Sequence, residues 1–389
     1  MPADDVVPDG VVPDGVVPDG VLHPGDTAWV VALAALDPFP RQLVELVFRH
    51  GAEQAWRRIL DANPGIEVPV AVATRWARRA AAIDPPALLD AHRLAGVGVS
   101  VLGGAGYPLA LLDDPEAPIV VFHRGEPGRL NAPRVGIVGT RQATSYGRAL
   151  ALEWGEALSA AGVVVVSGLA LGIDAAAHEG ALRGPTAPVA IVGSGLDIVY
   201  PRRNRALWHE VGARGLLYSE HPLGVPAAAA HFPARNRIIA GLSDVVLVVE
   251  SHKAGGSLIT AGAALERHRT VLAIPGSVHS PASEGTNLLL RDGATVAVEV
   301  ADVLGAIELS PGSRRRRPDA RVPPDPAGRA LLEAFGWSPA RLEMLALRTG
   351  ASMLQLADQL ERLVAAGWVH ESHGWFERIA EPTSRTVRP

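Results

Sequence analysis

Apolar positions in the N-terminal part of the chain recur with helical spacing, and further on they gather into short unbroken runs. Trp29, Val30, Leu33 and Leu36 share one helix face, and Leu43, Val44, Val47 and Phe48 another, with Asp37-Pro38-Phe39-Pro40 breaking the two apart. Further short helices are predicted around 66–81 and 86–95, so residues 26–110 read as a small helical domain. From Arg134 the pattern changes. Runs rich in β-branched residues appear at Val135–Val138, Val163–Val166, Val189–Val192, Leu216–Ser219, Val245–Val249, Val271–Ile274 and Thr295–Val298, alternating with helical segments. Continuous apolar strands separated by helices predict a mostly parallel sheet covered on both faces, a doubly wound α/β domain over 111–309.

Patterning weakens at both ends. Val-Val-Pro-Asp-Gly repeats at 6–10, 11–15 and 16–20, which is turn chemistry without a core, so 1–25 reads as a disordered tail. Residues 310–327 read as a linker, with five prolines and the run Arg314–Arg317. After it, 328–380 is compact: helices are predicted at Ala330–Phe335, Pro339–Arg348 and Ser352–Ala366. Strands follow at Trp368–Glu371 and Trp375–Ile379, joined at His373-Gly374. Three helices and a hairpin describe a winged helix, a variant of helix-turn-helix. Residues 381–389 are a short tail.

Composition narrows the chemistry. The 389 residues are 48% hydrophobic and 20% charged, enough for a sizeable core. The absence of cysteine excludes disulfides, thiolate zinc sites, iron–sulfur clusters and a cysteine nucleophile. No basic stretch followed by an apolar core opens the chain, and Gly and Pro interrupt every apolar run, so a soluble cytoplasmic protein is expected. A net charge of −5 argues mildly against a general nucleic-acid binder, although a local patch can act against the sum. Lys253 is the sole lysine; the arginine bias follows a composition rich in Ala, Gly and Pro, and function is kept for particular arginines.

Doubly wound sheets bind ligands beyond the carboxyl ends of their strands, so the loops there carry the functional reading. Gly136-Ile137-Val138-Gly139-Thr140-Arg141 leads into a helix from about Ser145, offering close backbone approach and a helix N-terminus to an anion. A tight turn with an exposed arginine explains that loop equally well. The spacing is not the dinucleotide fingerprint. Ser167-Gly168-Leu169-Ala170-Leu171-Gly172-Ile173-Asp174 repeats the design, and Asp174 is expected to cap the next helix. Asp174 and His178 share a helix face, but no third metal ligand stands near. Gly193-Ser194-Gly195 and Tyr200-Pro201-Arg202-Arg203-Asn204 come next. His231-Phe232-Pro233-Ala234-Arg235-Asn236-Arg237 then offers stacking from Phe232, phosphate contacts from Arg235 and Arg237 and hydrogen bonds from Asn236. A buried Phe with surface arginines fits the same residues. Glu250 precedes Gly255-Gly256-Ser257, again glycines entering a helix.

No P-loop is possible with one lysine so placed, no nucleophile elbow or His-Glu-x-x-His occurs, and Glu250 has no identifiable acid partner. No catalytic constellation and no cofactor are therefore expected.

Taken in order, Val138-Gly139-Thr140-Arg141, Ser167-Gly168-Leu169-Ala170-x-Gly172-Ile173-Asp174, Tyr200-Pro201-x-x-Asn204, Phe232-Pro233-x-Arg235-Asn236-Arg237-Ile238-Ile239 and Gly256-Ser257-Leu258-Ile259-Thr260-Ala261 resemble the DNA-processing protein A (DprA/Smf) family, with Pro275-Gly276 and Gly285-Thr286-Asn287 behind them. The resemblance runs from about 105 to 305. It implies a Rossmann-like homodimer that is not an enzyme, binds single-stranded DNA without ATP, protects incoming strands in natural transformation and loads RecA recombinase onto them. By motif position it implies a DNA pocket of Gly139, Thr140, Arg141, Ser167, Gly168, Phe232, Arg235, Asn236, Arg237, Gly256 and Ser257. The helical domain is similar to SAM or helix-hairpin-helix domains, but Asp37–Arg41 has no glycine and two prolines that donate no N–H. Before Gly256, the stretch His252-Lys253-Ala254-Gly255 departs from an expected Ser. The presumed recognition helix carries Asp358 and Glu361 beside Gln355, Gln359 and Arg362, so partner contact stands level with DNA contact there. Two other readings remain: a Rossmann-like enzyme that releases the base from a nucleoside monophosphate, and a winged-helix regulator with a ligand-sensing α/β domain.

Overall fold

The computed structural model describes residues 22, 24–36, 41–310, 324–335, 340–372 and 374–378. The Val-Val-Pro-Asp-Gly repeat, the Asp37–Pro40 breaker, the Arg314–Arg317 run, His373 and the tail 381–389 lie outside them. The chain divides into two compact units, Met1–Ser313 and Arg314–Pro389.

The first unit opens with five helices: α1 (Thr27–Leu36), α2 (Arg41–His50), α3 (Ala52–Leu60), α4 (Val70–Ala80) and α5 (Pro85–Leu94). α1 is apolar nearly all round and lies at the centre, packed on α3, α4, α5 and the first strand. Asp84 starts α5 by accepting the Ala87 N–H, with proline in the first turn. The structure corrects the purely helical reading of 26–110 at its end. Gly98–Val101 forms β1, antiparallel to β2 (Val120–Arg124). Four residues are too few for alternation to show, and β2 is neighbour to a strand nearly a hundred residues on, so nothing local marks this edge.

The predicted runs correspond to β3 (Arg134–Val138), β4 (Val164–Ser167), β5 (Val189–Ile191), β6 (Leu216–Ser219), β7 (Val245–Val248), β8 (Thr270–Ala273) and β9 (Thr295–Val296). These strands run parallel, and β1 and β2 extend the sheet antiparallel beyond β6, giving the order β1-β2-β6-β5-β4-β3-β7-β8-β9. Between them lie α6 (Ser145–Ala160), α7 (Ile173–Arg183), α8 (Arg205–Arg214), α9 (His231–Leu242), α10 (Gly256–Glu266) and α11 (Glu284–Arg291), with α12 (Val300–Leu309) last. Alternation within each strand supplies both faces. Val135, Ile137, Val245 and Leu247 pack with Trp154, Leu158 and Val303, whereas Val164, Val166, Val246 and Val248 pack with Ile238, Ile239 and Ala264. A mostly parallel, Rossmann-like α/β sheet results.

Strand order fixes where a ligand belongs. From β3 the chain steps through β4, β5 and β6 in one direction, then returns to lay β7 on the other side of β3. Loops leaving β3 and β7 therefore diverge to opposite faces, and a crevice opens between them at the carboxyl edge.

The second unit comprises α13 (Pro326–Phe335), α14 (Leu342–Thr349), α15 (Met353–Ala365) and the antiparallel pair β10 (Val369–Ser372) and β11 (Trp375–Arg378). Leu331, Phe335, Leu345, Leu356, Leu360 and Leu363 form its core. Gly350 ends α14 in the left-handed region at φ 70°, and Ser352 caps α15 with Gln355 completing a capping box. Among the described residues, no helix is long and apolar enough to cross a membrane.

Candidate nucleic-acid interface

An open cleft of about 700 Å³ occupies the crevice between β3 and β7, walled by the loops after β3 and β7 and the N-terminal turns of α9 and α10. Its rim holds three flat groups. The Arg141 guanidinium lies 5.0 Å from the centre of the Phe232 ring, and Tyr200 meets the same ring at 5.4 Å with planes 30° apart. Arg141 and Tyr200 are exposed and Phe232 is half-buried, so this stack faces solvent. Beside it, a smaller pocket of about 100 Å³ opens between the loops after β4 and β5, bounded by Gly168, Gly193, Ser194, Tyr200, Phe232 and Arg235.

The floor is built differently. Arg235 is 4% exposed and donates to the Ile191 carbonyl, while its Nε–H has no partner among the described residues. Gly168 lies directly over the guanidinium: a Cβ there would overlap it, so the loop can cross only without a side chain. Asp174 accepts the Gly168 N–H at 3.1 Å and bonds the Ala170 amide as well. Burial pushes the Asp174 carboxyl above its ordinary range, and Arg235 pulls it back. Burial likewise lowers Arg235 to about 10, with Asp174 opposing. His178, fully enclosed one turn along α7, is lowered to about 3 by burial. Asp174 is thus a tie for the loop after β4; the N-cap of α7 is Gly172, which corrects the expected capping role. Among the described residues, no group of three or more His, Cys, Asp or Glu is placed to hold a metal ion.

Two helix N-termini that looked alike in sequence differ. α6 is already served by the protein. Glu250, 4% exposed, accepts the Thr144 N–H at 2.9 Å and the Thr144 hydroxyl at 2.5 Å, and the Thr144 oxygen accepts the Gly147 N–H at 3.0 Å. Of the amides expected to be free after Gly139-Thr140-Arg141, that of Thr144 is taken by the Glu250 carboxylate and that of Gly147 by the Thr144 hydroxyl. Glu250, considered above as a catalytic acid, spends both oxygens on Thr144. Among the described residues, α10 has no side chain capping its N-terminus. Its N-cap, Gly255, offers no side chain, and a Cβ on the exposed Gly256 would meet nothing within 4 Å. That open end faces the cleft.

Most of the expected pocket residues come together. Gly139, Thr140, Arg141, Phe232, Arg235, Asn236, Gly256 and Ser257 line the main cleft, and Gly168 the smaller pocket. Thr140 accepts the Gln142 N–H at 3.1 Å, and Asn236 donates to the Gly256 carbonyl at 3.2 Å. Two do not join them. Ser167 is fully buried and donates to the Ile137 carbonyl at 2.6 Å, tying β4 to β3. Arg237 points along the other side of α9, to the Glu220 carboxylate and the Glu116 carbonyl. Residues two apart on a helix face different ways, which separates Arg235 from Arg237. Tyr200 belongs to the rim although it was absent from the expected set. Its signal was an aromatic followed by Pro201, Arg202 and Arg203 at a strand-end loop.

A family profile described as DNA recombination-mediator protein A matches residues 99–308, a span that begins at β1. Protein Smf of Escherichia coli is 36% identical over 281 residues, covering 70% of this chain and 75% of that protein. DNA processing protein DprA of Bacillus subtilis is 36% identical over 219 residues, covering 56% and 74%. The X-ray structure of DNA processing protein A from Streptococcus pneumoniae superposes with a TM-score of 0.61 at 32% identity, covering 72% of this chain and 97% of that one.

Proposed function

The chain belongs to the DNA recombination-mediator protein A family, and from that premise we propose that it binds single-stranded DNA in the cleft between β3 and β7. The observation that carries this reading is the solvent-facing stack of Arg141, Phe232 and Tyr200. Flat groups of this kind receive bases whose faces are free, and a duplex keeps its faces stacked. A ligand pocket for a whole small molecule runs from about 300 Å³ upward. The pocket of about 100 Å³ beside the stack therefore has room for one ring. In this reading a base enters it under Tyr200 and Phe232, and the backbone crosses the open N-terminus of α10.

The binder acts without ATP and performs no reaction. Glu250, the acid that an enzymatic reading would need, is committed to holding α6. The finer role comes from family membership: two copies joined through the Rossmann-like domain, protection of incoming strands in natural transformation, and loading of RecA recombinase in the cytoplasm. The second unit, as a winged helix, would serve a partner rather than phosphate. Leu354 on α15 is 83% exposed, and Arg362 is paired with Asp358 at 2.8 Å.

Fluorescence anisotropy with labelled oligothymidine and a matched duplex tests the central step. Binding should favour the single strand and weaken with salt, with a slope of about −0.7 per phosphate neutralised. Preference for duplex would overturn it. RecA loading is tested separately, by the lag before RecA filaments form on coated single strands with and without the protein.

A further inference from the structure

Two loops bound the small pocket, and one side chain spans them. The loop after β4 is unusual: Leu169, fully buried, sits in the left-handed region at φ 54°. A non-glycine residue held there is strained and needs neighbours that over-determine it. On the amide side, the Asp174 carboxylate supplies them. On the carbonyl side, Asn204 does. Its Nδ2 donates to the Leu169 carbonyl at 2.9 Å and to the Ala170 carbonyl at 3.2 Å. Two carbonyl oxygens facing one amide fix its orientation, because only the NH₂ end can donate to both. Asn204 closes the short helical turn Arg202–Asn204, whose backbone continues directly from Tyr200 and Pro201, the opposite wall of the same pocket.

We propose that Asn204 is a positioning residue that sets the gap between the two walls of the pocket, and so decides whether a base fits. The proposal rests on the reading that a base enters there. Asn204 itself does not line either cavity. It acts through the carbonyls of Leu169 and Ala170 on one side and the chain leading back to Tyr200 on the other. Other side chains tie other loops of the rim: Glu250 joins the loop after β7 to Thr144, and Asn236 bridges α9 to α10 by a single bond.

The test compares the full chain with Asn204→Ala and Asn204→Asp, using oligothymidine and an oligonucleotide of equal length made abasic throughout. With both hydrogen bonds to the Leu169 and Ala170 carbonyls gone, oligothymidine binding should weaken about tenfold in Asn204→Ala, within the range of one lost base-stacking contact. Asn204→Asp keeps the shape but sets a carboxylate against two carbonyl oxygens, and should lose more. Neither substitution should change binding of the abasic strand, which makes the backbone contacts alone. Equal loss on both ligands would show a general structural role and overturn the proposal, as would unchanged binding of both. A wild-type protein that does not distinguish the two strands would instead remove the base-pocket reading on which the proposal rests. Should Asn204→Ala melt at a lower temperature, both ligands are compared below its transition, where a loss confined to oligothymidine still supports the proposal and equal loss on both still overturns it.

Discussion

Arg141 and Arg235 stand on the same cleft and look interchangeable in sequence, yet rim and floor use the same residue type in opposite ways. Arg141 is exposed, rests on an aromatic ring and is free to meet a ligand. Arg235 is buried beneath Gly168, bonded to the end of β5, and stands near the equally buried Asp174. In the proposed reading the cation at the rim meets the strand, while the cation in the floor holds loops in place. Arg237, two residues on, does a third job, anchoring α9 to Glu220 and to the segment before β2.

Breaking the floor should have the largest effect. Arg235→Ala removes the donor to the Ile191 carbonyl, leaves a void beneath Gly168 and takes away the nearby cation that favours ionised Asp174, a large-to-small change in a buried site that costs about 2–5 kcal/mol. Thermal melting and strand affinity should both fall sharply. Gly168→Ala forces a methyl group into the guanidinium below it, an overpacking that costs about 1–3 kcal/mol. Denaturant titration should show this, and single-strand binding should weaken with it because the smaller pocket deforms. Changes at the rim should separate the two properties. Arg141→Ala should weaken oligothymidine binding about tenfold, within the range of a lost base-stacking contact, with the melting temperature unchanged. Equal loss of stability in Arg141→Ala and Arg235→Ala would erase the distinction between rim and floor.

The smallest effect is a pH slope, taken over the first unit below about pH 6.5. Burial lowers His178 from 6.5 to about 3. Below 6.5 the unfolded chain takes up a proton that the folded chain refuses, so the unfolded state binds more protons and stability falls as pH falls towards about 3. One such group contributes at most about 1.4 kcal/mol per pH unit. His221, lowered to about 4 by burial and by His231 stacked on it at 4.2 Å, adds in the same direction. Asp174 works the other way at lower pH, because its raised carboxyl holds a proton more readily when folded. Urea titrations at neutral and mildly acidic pH should show the decline, and His178→Gln should flatten it.

The parallel core of the sheet and the loops at its carboxyl edge were legible because each is a local pattern: an apolar run, then small residues, then a helix. β1 and β2 were not, since a four-residue strand has no readable period and its place depends on a register with distant residues. Within the site, Phe232 and Arg141 announced themselves by composition. The direction each side chain takes did not. Whether an arginine near Phe232 faces solvent, as Arg141 does, or lies under a glycine, as Arg235 does, is set by the meeting of α9 with the loop after β4, more than sixty residues away in sequence. Glu250 shows the same limit: its carboxylate reads as an available acid at a strand end until α6 is seen to rest on it.

The most direct measurement is the affinity of wild type and Arg141→Ala for oligothymidine at one fixed salt concentration, read by anisotropy alongside the melting temperature of each. A loss of about tenfold in affinity, with no change in melting, is expected from a rim cation that meets the strand. Equal affinities at equal stability would contradict binding in the cleft between β3 and β7.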